Sequence, residues 1–317
     1  MRLKTAGVEE AGPDAELLLM HVLGKSKSDL LRDWREPWPQ DPELRAVWEG
    51  YLARRAAGEP VQYVIGEQHF YGRRFTVNPD VLIPRPETEL LVEAILAAGD
   101  RIWPAGSQTA PSVLDVGTGS GAIAVTIALE RRDWQVTASD LSPVALAAAR
   151  HNAGALGADK RLRFVQGNLL EPFVKAADCA DHAGTIVKAS GCADHTGGPI
   201  VEATGHAGMV DQAVPPIEIL VSNPPYIPSG DLPGLQREVR DYEPHLALDG
   251  GGDGLMPYRR MAEQLRLLSA VPRIVGWEVG AGQAEEVAGL LRSAADWQDI
   301  RFVTDYAGIR RHVLAVR

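Results

Sequence analysis

The sequence predicts an α/β protein with a doubly wound seven-stranded sheet whose last strand is antiparallel. A small N-terminal helical bundle and a linking β-hairpin precede it. Three observations predict this. From Ser112 onward, strand and helix signals alternate, as in a parallel sheet wrapped by helices. The strand Val113-Leu114-Asp115-Val116 runs directly into a glycine turn, Gly117-Thr118-Gly119-Ser120-Gly121, and then a helix. A later strand, Ile219-Leu220-Val221-Ser222, stops at once in Asn223-Pro224-Pro225-Tyr226. The pattern is Rossmann-like, and it divides the chain into a bundle over 1–60, a hairpin linker over 61–84 and a sheet domain over 85–317.

Composition narrows the function classes. A chain of 317 residues suits one large domain and a smaller one. A net charge of −10 argues against affinity built on phosphate neutralisation, so no sequence-specific nucleic-acid binding is expected. No apolar run of about 18 residues suggests a membrane span, and the first residues lack a signal-peptide stretch. Two cysteines make no disulfide framework. A soluble cytoplasmic protein is the expectation.

In the first segment, Ala15, Leu18, Leu19, Val22 and Leu23 recur at helical spacing, and Gly24 can end that helix. Asp41-Pro42 supplies a capping residue and a first-turn proline for a second helix, with Leu44, Val47, Trp48, Tyr51 and Leu52 on one stripe. Val61, Tyr63, Val64 and Ile65, then Phe70, Phe75, Val77, Val81 and Ile83, broken by Gly66, Gly72 and Pro79, read as short strands or a hairpin. In Arg85-Pro86-Glu87-Thr88-Glu89 the proline can open a helix. Arg85 and Glu89 are candidate substrate-binding residues; a capped helix entrance with an ion pair between them explains them equally well.

In the sheet domain, glycines let backbone approach a ligand in conformations that side chains forbid. The next strand, Gln135-Val136-Thr137-Ala138-Ser139, ends at Asp140, about 20 residues past the turn, where such folds place a carboxylate on ribose hydroxyls. Alternatively, Ser142-Pro143 caps the next helix and Asp140 is a solvated loop acid. After the strand Leu162-Arg163-Phe164-Val165, Asn168 stands where an adenine edge is read and Leu169 where a ring packs, although an ordinary polar turn fits as well. The candidate cofactor residues are thus Gly117, Thr118, Gly119, Ser120, Gly121, Asp140, Asn168, Leu169 and Asn223.

The Asn223-Pro224-Pro225-Tyr226 corner presents one side-chain amide, carbonyls that no following proline nitrogen can tie into a ladder, and an aromatic face. Such a set can grip a planar NH2 group, with Asn223 and a proline-flanked carbonyl accepting its hydrogens and Tyr226 against its plane. In a doubly wound sheet the first and fourth strands are neighbours, so the glycine turn and this corner should face one crevice. Further on, a helix over 232–242, another over 258–268, the strand Ile274–Glu278 and a final hairpin over 300–316 complete the sheet. Between the two motifs, residues 178–214 form an imperfect Gly-, Ala- and Asp-rich repeat, read as a disordered insertion. Its Cys179, His182, Cys192 and His195 would make a zinc set, but repetition alone gives equal spacing, so no metal is expected.

Together these pieces resemble class I S-adenosylmethionine-dependent methyltransferases, and more narrowly the peptide-chain release factor N5-glutamine methyltransferases. The resemblance spans nearly the whole chain, and the run Val81 to Glu89 (VLIPRPETE) with Ser222 to Pro228 (SNPPYIP) is its most specific part. It implies S-adenosyl-L-methionine as cofactor, release factors as protein substrates, and a catalytic corner at Asn223, Pro224, Pro225 and Tyr226. The insertion is longer than the family pattern. The rival readings are an adenine-N6 nucleic-acid methyltransferase, which poses the same chemical problem but needs a basic channel, and a non-catalytic S-adenosylmethionine-binding module.

Overall fold

The computed structural model describes residues 1–33, 35–174 and 216–317. The insertion at 178–214, with its two cysteines, lies outside the described residues.

Five helices come first: α1 (Arg2–Thr5), α2 (Ala11–Leu23), α3 (Lys27–Arg32), α4 (Pro42–Ala56) and α5 (Val61–Ile65). Gly24, at φ 61°, closes α2, and the Asp41 carboxylate caps α4 by accepting from the amides of Glu43 and Leu44 at 2.9 and 3.2 Å. Val61–Ile65 was expected to be extended and is helical instead. Pro60 sits at its N-cap and left-handed Gly66 at its end, and a turn of helix puts Val61 and Val64 together on buried Leu18. Tertiary packing thereby overrides the strand preference of β-branched residues.

A hairpin follows, β1 (Glu67–Phe70) and β2 (Arg73–Thr76), paired antiparallel. Its two-residue turn, Tyr71-Gly72, has φ of 50° and 69°, the mirror-image turn that matches strand twist.

The remaining elements are α6 (Pro86–Ile102), β3 (Ser112–Val116), α7 (Ala122–Glu130), β4 (Gln135–Asp140), α8 (Pro143–Ala155), β5 (Leu162–Gln166), β6 (Ile219–Ser222), α9 (Arg237–Tyr242), α10 (Met256–Leu265), β7 (Ile274–Glu278), α11 (Ala284–Ala294), β8 (Asp299–Thr304) and β9 (Arg310–Val316). The sheet order is β5-β4-β3-β6-β7-β9-β8. The first five strands run parallel, and β9 is antiparallel to both neighbours. Strand order reverses between β3 and β6, which makes their carboxyl ends the switch point.

Alternating strand residues feed two cores. Val113, Ile219 and Ile274 pack with Leu91, Ile95 and Ile127 from α6 and α7 on one face. Leu114, Leu220 and Val275 pack with Tyr258, Met261 and Val287 from α10 and α11 on the other. Gly276 matters here: a Cβ would stand 2.7 Å from Ile95 Cδ1, so its absence lets α6 lie close on the sheet.

Candidate active site

The carboxyl ends of β3, β4, β5 and β6 open into one cleft of about 250 Å³. Gly117, Gly119, Asp140, Asn168, Leu169, Asn223 and Pro225 all line it. The glycine turn and the Asn-Pro-Pro-Tyr corner therefore share a crevice, because Val116↔Ser222 register ends β3 and β6 together.

The turn's glycines perform two tasks. Gly117 (φ 71°) and Gly119 (φ 54°) have nothing within 4 Å of where a Cβ would be, so they leave the cleft floor bare. At Gly121 a Cβ would meet the Ala149 Cα at 3.2 Å, so that glycine serves helix packing. Thr118 and Ser120 are buried and do not line the cleft; the Thr118 hydroxyl donates to Asp115 Oδ2 at 2.6 Å.

Asp115 is fully buried, and its second oxygen, Oδ1, has no hydrogen-bond partner among the described residues. Burial pushes its carboxyl up to about 7, against the opposing bonds from Thr118 and the Ala124 amide. Asp140 accepts from Gly119 N through Oδ2 and from Ser142 N through Oδ1, both at 2.9 Å. Burial raises its carboxyl too, with those amides pulling the other way. Asn168 donates to Glu171 at 2.8 Å, and Leu169 holds a left-handed φ of 53°, unusual for a branched residue, as it lines the cleft.

At the corner, Asn223 Nδ2 lies 3.2 Å from Thr88 Oγ1, which in turn lies 2.6 Å from Glu278 Oε2. Pro224 and Pro225 have no N–H, and among the described residues the carbonyls of Asn223 and Pro224 accept no protein hydrogen bond. The Tyr226 carbonyl is taken by Gln283 Nε2 at 2.9 Å. Pro225 lines the cleft, whereas Pro224 and Tyr226 stand beside it. The Tyr226 ring edge passes over Gly280, where a Cβ would meet Cδ2 at 3.2 Å. Burial, reinforced by the Glu278 charge, pushes its phenol up to about 12, so it stays neutral.

Arg85 and Glu89 are not partners, so the alternative reading of an ion pair at that helix entrance does not hold. The Arg85 guanidinium pairs with buried Glu243, whose other oxygen accepts from Ile83 N at 3.4 Å. Glu89 accepts from Tyr71 N at 2.8 Å and so holds the hairpin turn. Neither lines the cleft, although Val81 and Leu82 beside Arg85 do. Among the described residues no group of His, Cys, Asp and Glu could hold a metal. Thr88 and Glu278 are not among the candidate site residues read from the sequence, although Glu278 ends the strand next to β6 and the same neighbour argument points to it.

Comparison with known proteins bears on this site directly. A family model described as PrmC N-terminal domain matches residues 1–66, and one described as Methyltransferase domain matches residues 113–193. A release factor glutamine methyltransferase of Bacillus subtilis (strain 168) is 38% identical over 314 residues, covering 99% of this chain and 93% of the relative. The chain belongs to the release factor glutamine methyltransferase family. A family member from Geobacter sulfurreducens is 37% identical, covering 98% of this chain and 91% of the relative. Among solved structures, the hMettl16 catalytic domain in complex with a 3′UTR hairpin has a TM-score of 0.51 at 14% identity, covering 84% of this chain and 81% of that one. That likeness concerns the methyltransferase fold, which this family shares.

Proposed function

We propose that the cleft binds S-adenosylmethionine and that the chain transfers its methyl group to the side-chain amide nitrogen (N5) of the glutamine in the Gly-Gly-Gln loop of peptide-chain release factors. One observation carries the reading: the bare glycine turn and the Asn223 amide line a single cleft at the switch point of the sheet.

The residues present fit that cofactor. Each oxygen of Asp140 has taken one backbone N–H and keeps a lone pair for a ribose hydroxyl. Leu141 and Leu169 offer apolar faces to a purine, and Asn168, with its nitrogen on Glu171, has a side-chain oxygen that accepts no bond among the described residues and can take one from an adenine amino group. Asp80, Asp140 and Asp249 on the lining, against Arg260, suit a cation.

When bound, S-adenosylmethionine supplies a methyl group on a sulfonium, which departs as a neutral thioether and needs no acid. An amide nitrogen is a poor nucleophile, so the residues of this chain act mainly by alignment. Asn223 Oδ1 and the Pro224 carbonyl accept the two amide hydrogens and hold the nitrogen in line. They also stabilise the positive charge that develops on it. Pro225 excludes water, Tyr226 buttresses the corner as a neutral phenol, and the extra proton leaves to solvent after transfer.

In this reading residues 1–60 recognise the release factor, the 61–84 segment links them to the catalytic domain, and Arg85 and Glu89 fix the rim that the substrate crosses. No helix among the described residues is long and apolar enough to cross a membrane; the cytoplasm, where release factors work, is the proposed location. The test incubates the protein with methyl-labelled S-adenosylmethionine and purified release factors and maps the label by peptide mass. Label on the Gly-Gly-Gln glutamine is expected; label on another residue, or none, overturns the proposal.

A further inference from the structure

The two ends of an asparagine amide are alike in shape and opposite in function. For a glutamine NH2, Asn223 is useful only with its oxygen toward the cleft; reversed, it would set N–H against N–H. Two buried groups, Thr88 and Glu278, decide which end faces which way. Glu278 ends β7, with Trp277 the register partner of Ser222, so its carboxylate lies close behind Asn223. Glu278 and Thr88 are both almost wholly buried.

The Thr88 hydroxyl donates its single hydrogen to the Glu278 carboxyl, with Oγ1 2.6 Å from Oε2. With that hydrogen committed, Thr88 Oγ1 can only accept from the Asn223 amide 3.2 Å away, so Asn223 must present its NH2 to Thr88. Its oxygen is left for the cleft. We propose that Thr88 and Glu278 are positioning residues whose one-way hydrogen-bond relay locks Asn223 as an acceptor for the substrate amide. The sense of the relay is that of its two hydrogen bonds, Asn223 to Thr88 and Thr88 to Glu278. Glu278 is held in place as well, since Tyr258 donates to its carbonyl at 2.7 Å.

The inference rests on the proposed role of Asn223, and its test separates the two. Thr88→Val keeps the shape and removes the hydroxyl; Thr88→Ala removes it without adding bulk; Thr88→Ser retains it. Each is assayed for S-adenosylmethionine affinity by calorimetry and for kcat and KM on a purified release factor, alone and combined with Asn223→Ala. Thr88→Val and Thr88→Ala should lower kcat about 100-fold, the cost of a misplaced positioning group, with cofactor affinity unchanged and Thr88→Ser active. In the Asn223→Ala background the Thr88 changes should cost nothing further. Wild-type kcat in Thr88→Ala, or losses that multiply independently, would overturn the relay while leaving Asn223 its role. Full activity of Asn223→Ala itself would remove the reading on which the relay stands, and the relay with it.

Discussion

The Ser222 hydroxyl donates to the Val116 carbonyl at 2.7 Å, inside the sheet, and pins the last residue of β6 to the last residue of β3. The residues that follow are Gly117 on one side and Asn223 on the other, so this bond fixes the span between the glycine turn and the amide corner. Ser222→Ala should cost about 1 kcal/mol of stability, the usual worth of one buried hydrogen bond, and lower kcat with little change in cofactor affinity. Chemical denaturation and steady-state kinetics on the same preparation measure both.

Gly119→Ala and Gly121→Ala should fail differently. At Gly119 the new methyl group enters open cleft at a left-handed φ; the fold should lose roughly 1–2 kcal/mol while cofactor affinity falls by at least about tenfold. At Gly121 the methyl meets Ala149 and Val125 at 3.2 Å, so stability should fall further. Melting curves set beside binding isotherms distinguish the two.

Asp115 predicts a pH dependence of stability. The folded protein holds the Asp115 proton up to about pH 7, whereas the unfolded chain releases it near the ordinary 3.8. Between those values the native state binds more protons, so this group's contribution to stability falls as pH rises from about 4 to about 7 and is level above. Asp115→Asn should remove that slope. Denaturation midpoints of both proteins across this range check it, and parallel curves would count against the buried-acid assignment.

Arg55 joins the N-terminal helices to the catalytic domain. Its guanidinium is 2.6 Å from buried Asp14 and 2.6 Å from Glu238 in α9. Arg55→Ala strands Asp14 without a partner and should cost about 3–5 kcal/mol, felt mainly in the N-terminal helices. Limited proteolysis should then cut within residues 1–60, and KM for the release factor should rise while S-adenosylmethionine binding persists.

How much of this was legible in the chain depended on sequence distance. The glycine turn, Asp140 and the Asn-Pro-Pro-Tyr corner each carry a local signature, and the strand-order rule was enough to bring them together. Val61–Ile65 misleads because three of its five residues are β-branched and look extended, whereas packing on Leu18, far upstream, makes a helical turn worthwhile. For Arg85 the sequence offers a neighbour four residues away as one of two readings, whereas its partner, Glu243, is 158 residues off. Thr88, likewise, meets Asn223 across 135 residues and Glu278 across 190. No periodicity encodes such pairs; they exist only once β6 and β7 lie side by side beneath the start of α6.

The most direct test of the shared cleft compares Asn223→Ala with the wild type in two assays on one sample: calorimetric titration with S-adenosylmethionine, and methyl transfer to a purified release factor. The account predicts unchanged cofactor affinity with transfer reduced by at least about 100-fold, as for loss of a group that aligns and stabilises the transition state. Transfer at the wild-type rate would contradict it.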